Sequence, residues 1–162
     1  MKKTDPIKNR LQYHLELLEK LDSLKLEVNF AREQYSNIKI PSYSGIPGGG
    51  GAEKLTEPEA RVFEVEKLEE KIRDQKKVVA QDWQELEPLI EQLKPIEALV
   101  LKLRYCYGGE WDDICEAIFG KRKHFELELD RYKNKMFKIH GRALVTLAEI
   151  YEEKSNTNEP TE

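Results

Sequence analysis

The sequence predicts an all-α protein: a long N-terminal helical hairpin or coiled coil, then a C-terminal helix-turn-helix domain ending in a long helix. Three observations predict it. Apolar residues recur at alternating spacings of three and four over long stretches, the heptad pattern of packed helices. No stretch alternates apolar and polar residues in the period of a half-buried strand. Charged residues make up 36% of the 162 residues, well above the ~25% of an ordinary globular domain. That excess suits long exposed helices rather than a thick core.

Residues 1–37 hold the first helix, from residue 5 onward. Leu17, Leu21, Leu24, Val28, Ala31 and Tyr35 form its heptad seam, and Leu11, Leu15 and Leu18 widen the apolar face. Residues 38–57, IKIPSYSGIPGGGGAEKLTE, contain two prolines and five of the nine glycines. No period survives there, so the stretch predicts a flexible connector. Its four glycines lack the Lys-Ser/Thr and the preceding strand of a phosphate-binding loop.

Residues 58–93 predict a second long helix to 86 and a short one over 88–93. Thr56 suits the N-cap, with Pro58 in the first turn. Val65, Leu68, Ile72, Val79, Leu86 and Leu93 mark the apolar stripe, joined by Trp83 and Ile90, while Gln75 and Asp82 are polar members of the same seam. Leu17, Leu21, Leu24, Val28, Leu68, Ile72 and Val79 are the candidate oligomerisation residues. They fit an intramolecular antiparallel hairpin or a homodimeric coiled coil, and the sequence leaves both open.

Residues 94–153 carry the functional signal. Pro95 opens a helix expected to reach Cys106, with Ile96, Leu99, Val100, Leu103 and Cys106 on one face. Gly108-Gly109 ends it where positive φ costs least. Trp111 opens a short helix with Asp112 and Asp113 in the first turn, where negative charge suits the helix dipole, and Gly120 closes it. A helix, a glycine turn and a second short helix are the scaffold of a helix-turn-helix. The segment from Lys121 to Arg142 then holds eight basic and three acidic residues, a local net of +5, although the whole chain carries −4. Local charge is what a phosphate backbone meets.

The last helix is expected over 124–153. Phe125, Leu129, Tyr132, Met136, Ile139, Ala143, Leu147 and Ile150 make its apolar stripe. Arg131, Lys135, Lys138 and Arg142 each precede a stripe member and form a basic row about 100° round the helix. The candidate DNA-binding residues are Lys121, Arg122, Lys123, Arg131, Asn134, Lys135, Lys138 and Arg142. Arg and Asn can read base edges and Lys chiefly contacts phosphate. His140, between Lys138 and Arg142, is a further candidate for phosphate.

The stretch LKPIEALVLKLRYCYGGEWDDICEAI resembles the C-terminal promoter-reading domain of bacterial sigma factors. It is also similar to the sigma-like domains of small phage regulators, including the RinA/ArpU-type late-gene activators. The matching residues are Leu93, Pro95 and Glu97, then Leu103-Arg104-Tyr105, then Trp111 and Ile114, and HGRALVTL from His140 to Leu147 resembles the closing helix. Cys115 stands where alanine is usual, and the run from Gly120 to Arg142 is longer than the usual one. The resemblance implies a phage or prophage transcriptional regulator that binds double-stranded DNA, with the N-terminal helices used for dimerisation or RNA polymerase contact. A small-terminase-like packaging component and a helical interaction protein whose helix-turn-helix no longer binds DNA are the alternatives.

Cys106 and Cys115 form no CxxC pair and are expected to be buried thiols. His14, His124 and His140 sit at no metal-ligand spacing, and His14 is expected to be structural. No nucleophile–base set stands out, so neither an enzyme nor a cofactor is expected. No membrane span or signal peptide reads from the sequence, which predicts a cytoplasmic protein of the bacterial host. Residues 154–162 predict a disordered tail.

Overall fold

The computed structural model describes residues 2–36 and 57–157. Its helices are α1 (Asp5–Ser36), α2 (Glu57–Ile90), α3 (Pro95–Leu101), a π-helical turn (Lys102–Cys106), α4 (Trp111–Phe119) and α5 (Leu129–Thr157). No strand occurs among the described residues, and the fold is all-α. The connector over 38–57 lies outside the described residues apart from Glu57, which opens α2, and Thr56 lies outside them as well.

The chain divides into two compact units, residues 1–19 with 78–162 and residues 20–77. In the larger unit, the start of α1 supplies Ile7, Leu11 and Leu15 to a core. They join Leu86, Leu89 and Ile90 of α2, Leu101 and Tyr105, and Ala143, Leu144, Leu147 and Ala148 of α5. A second cluster joins Val100, Ile114, Cys115, Phe119, Met136 and Ile139, with Phe125, Leu129 and Tyr132 packed against it. Neighbouring positions of α3, Val100 and Leu101, therefore face different cores. That is how a two-turn helix ties α4 and α5 to the long helices.

One polar network interrupts the apolar seam of this unit. Asp82 accepts from Arg10 at 2.8 Å and lies 2.6 Å from His14 Nδ1. His14 is 1% exposed, tilts against the Trp83 ring, and its Nε2 has no hydrogen-bond partner among the described residues. The polar seam position at Asp82 is thus the acceptor for two α1 side chains, and His14 has the structural place expected of it.

The smaller unit buries Leu21, Val28, Leu68 and Gln75. Arg32 pairs with Glu69 across its two helical segments. Tyr35 meets Pro58, Val62 and Phe63 in a shallow cleft. Of the candidate oligomerisation residues, Leu21, Val28 and Leu68 are buried within the single chain, and Leu17, Leu24, Ile72 and Val79 are half-buried.

Four element boundaries differ from expectation. The break at Pro88 does not occur, because α2 runs through it to Ile90. A helix-interior proline costs ~3 kcal/mol. Leu86, Leu89 and Ile90 beside it are 1%, 5% and 0% exposed, and burying each contributes about 1.5–3 kcal/mol, so burial wins. The helix from Pro95 keeps α geometry only to Leu101 and then widens, with Tyr107 N–H reaching Lys102 O at 3.1 Å. The last helix starts at Leu129, and residues 121–128 form turns around His124, whose φ is +61°. At its far end α5 extends through Lys154 to Thr157, into the stretch expected to be a tail.

Candidate nucleic-acid interface

Two glycines shape the frame that presents the basic row. Gly108 has φ +66°, a conformation open to glycine at little cost. Its turn is closed by Gly109 N–H to Leu103 O at 2.9 Å and by Arg104 Nη1 to Gly109 O at 2.9 Å. Gly120 ends α4 with αR geometry, and a Cβ there would collide with Glu116 O. The chain can therefore leave α4 tightly, turn through residues 121–128 and enter α5.

The turn brings Arg122 to face α5. Arg122, Arg131, Tyr132, Asn134, Lys135 and Lys138 line one groove of about 670 Å³. Among the described residues its lining has four cations and no carboxylate. Lys135 lies with its ammonium 5.5 Å from the Phe119 ring centre, and Arg131 reaches Glu128 at 3.3 Å. An exposed pair of that kind is worth little and yields readily to a phosphate. The groove floor is set by aromatic packing, since Tyr132 stacks obliquely on both Phe119 and Phe125.

Of the eight candidate DNA-binding residues, this groove gathers Arg122, Arg131, Asn134, Lys135 and Lys138. Arg142 lies further along α5, in a second groove of about 900 Å³ that it shares with Lys135, Lys138 and Lys94. Lys121 and Lys123 are exposed on the turn and line neither groove. Lys94 carries no signal in the sequence beyond preceding a proline. Only the packing of α3 against α5 brings it to the basic row.

Lys133, on the same helix, is occupied differently. Its ammonium holds Asp112 of α4 at 2.6 Å, and that hydrogen bond raises its pKa. Asp112, Asp113 and Glu116 leave α4 with an exposed acidic side, so α5 and the turn are the phosphate-compatible surfaces of this unit.

His140 does not join the basic row as a phosphate contact. It is half-buried, lies 3.2 Å from Tyr105 Oη and packs edge-on to Trp111 with ring centres 4.8 Å apart. Burial first, then the charges of Lys8 and Arg104, lower its pKa to about 4. It is therefore neutral at pH 7. Arg104 stacks over the other partner, Trp111, at 5.0 Å.

Among the described residues no group of three His, Cys, Asp or Glu side chains could hold a metal ion, and no helix is long and apolar enough to cross a membrane. Burial raises the thiol pKa of both Cys106 and Cys115. Compared with known proteins, the chain matches no family model, no curated protein and no solved structure.

Proposed function

We propose that this protein is a double-stranded-DNA-binding transcriptional regulator of phage or prophage type. In this reading α3, the glycine turn and α4 act as the scaffold of a sigma-like helix-turn-helix, and α5 reads the DNA. The observation that carries it is the groove in which Arg122 of the turn faces Arg131, Asn134, Lys135 and Lys138 of α5, with no carboxylate lining it among the described residues. Arg131 to Arg142 spans about 16 Å of helix at 1.5 Å per residue, which allows several backbone contacts. Asn134 is the candidate base reader, with its amide suited to an adenine edge. The acidic N-terminal helices would meet protein, either a second copy or RNA polymerase.

The test is fluorescence anisotropy of a labelled duplex pool drawn from the source genome. Four phosphate contacts give a log-log salt slope of roughly −3.6, so affinity should fall about two orders of magnitude between 50 and 200 mM salt. The variant Arg131→Ala/Lys135→Ala/Lys138→Ala should lose most of that slope and bind at least tenfold more weakly at low salt. Wild-type protein that shows no binding at low salt would end this reading.

A further inference from the structure

The second groove differs in character from the first. Cations stand around it, from Lys94 on one wall to Lys135, Lys138 and Arg142 on α5. Its floor is apolar. The half-exposed Val145 and Gly141, where a Cβ would meet nothing within 4 Å among the described residues, give it open apolar surface, and Leu93 also lines it at 6% exposed. The single carboxylate in the lining, Glu97, is 5% exposed and offers little surface. Along α5 the groove runs from Lys135 to Thr146, about 16 Å or three helical turns.

We propose that this groove docks an acidic amphipathic helix of a partner protein. Its apolar side chains would cover Gly141 and Val145, and carboxylates on its two flanks would meet the four cations. Helix-in-groove recognition needs this combination of an apolar trough and complementary rim charge. A nucleic acid is the poorer occupant. A duplex presents a convex, charged backbone that cannot fill an apolar trough, and the Val145 surface would gain nothing from it. The inference goes beyond the DNA-binding reading and couples to it. Lys135 and Lys138 line both grooves, so helix and DNA compete for the same two ammonium groups, and each weakens the other by the same factor.

The experiment titrates the full chain into a fluorescein-labelled synthetic peptide of five helical turns. The peptide carries leucines at i, i+3, i+4 and i+7 spacing with glutamates beside them. A scrambled peptide of the same composition is the control. The variant Gly141→Leu fills the trough from an exposed helix position, where leucine is also the better helix former, and circular dichroism checks that it folds. The amphipathic peptide should bind at least tenfold tighter than the scrambled one, and Gly141→Leu should cost at least tenfold. It should also displace a labelled duplex from wild-type protein, while Gly141→Leu leaves duplex affinity unchanged. Equal binding of the two peptides, or undiminished peptide binding by Gly141→Leu, overturns the proposal. Loss of duplex binding in Gly141→Leu would assign the groove to nucleic acid and overturn it too. A duplex that never binds, beside a peptide that does, removes only the DNA reading.

Discussion

A neutral histidine in an aromatic niche makes stability depend on pH. His140 keeps a folded-state pKa of about 4 against 6.5 for a free side chain. Below pH 6.5 the unfolded chain takes up a proton that the folded chain refuses until about pH 4. The associated stability is fully present above pH 6.5 and is lost as pH falls toward 4. Because the ring is only partly buried, the solvent-discounted loss is on the order of 1–2 kcal/mol. Urea denaturation at pH 7.5 and pH 4.5 should show that loss, and His140→Gln should remove most of the difference between the two. An unchanged difference would place the titrating group elsewhere. The neighbouring residue scale also explains why His140 reads wrongly from sequence. Lys138 and Arg142 lie two residues away on either side in the chain, but its neighbours in space are Tyr105 and Trp111, and no local pattern encodes that.

At the scale of elements, the apolar periods locate the helices well and their ends poorly. The stripe through Met136, Ile139, Ala143 and Leu147 is buried as its spacing requires. The start of α5 is not legible, since Phe125 continues the stripe arithmetically but packs on the second core from a turn. The π turn is hidden for a similar reason. It changes the hydrogen-bond step from four residues to five, and the buried face there is Val100, Leu101 and Tyr105 rather than the expected one, of which Ile96 and Leu99 are exposed. The grooves follow from these choices, because Arg122 faces α5 only when residues 121–128 are a turn. Met136 of α5 is 0% exposed in the cluster with Val100 of α3 and Ile114, Cys115 and Phe119 of α4. Met136→Ala should cost about 2–5 kcal/mol, the usual range for emptying a core site. Thermal or urea unfolding would measure it, and a loss under 1 kcal/mol would mean that α5 is held mainly by its other core contacts.

At the scale of the whole molecule, charge is segregated along the chain. Residues 1–93 carry a net −3 and residues 121–142 a net +5. On the proposed reading, the basic segment is the part suited to a phosphate backbone. It was legible in the sequence, unlike Lys94, whose role depends on tertiary packing. The burial of Leu21, Val28 and Leu68 within one chain shows where a large share of the heptad seam is spent. Light scattering should therefore give a monomer or a dimer. A closed ring of many copies would instead favour a packaging role, since such rings need a heterologous interface.

The first core joins Ile7, Leu11 and Leu15 to Ala143, Leu144, Leu147 and Ala148. During synthesis the opening helix leaves the ribosome long before the residues that cover it exist. Until α5 is made its leucines have only the α2 and α3 side of their native site, and the larger unit can close only after residue 148 has emerged. Such distant pairing slows folding and leaves apolar surface open to other chains. A nascent chain stalled before Ala143 should accordingly be a chaperone client.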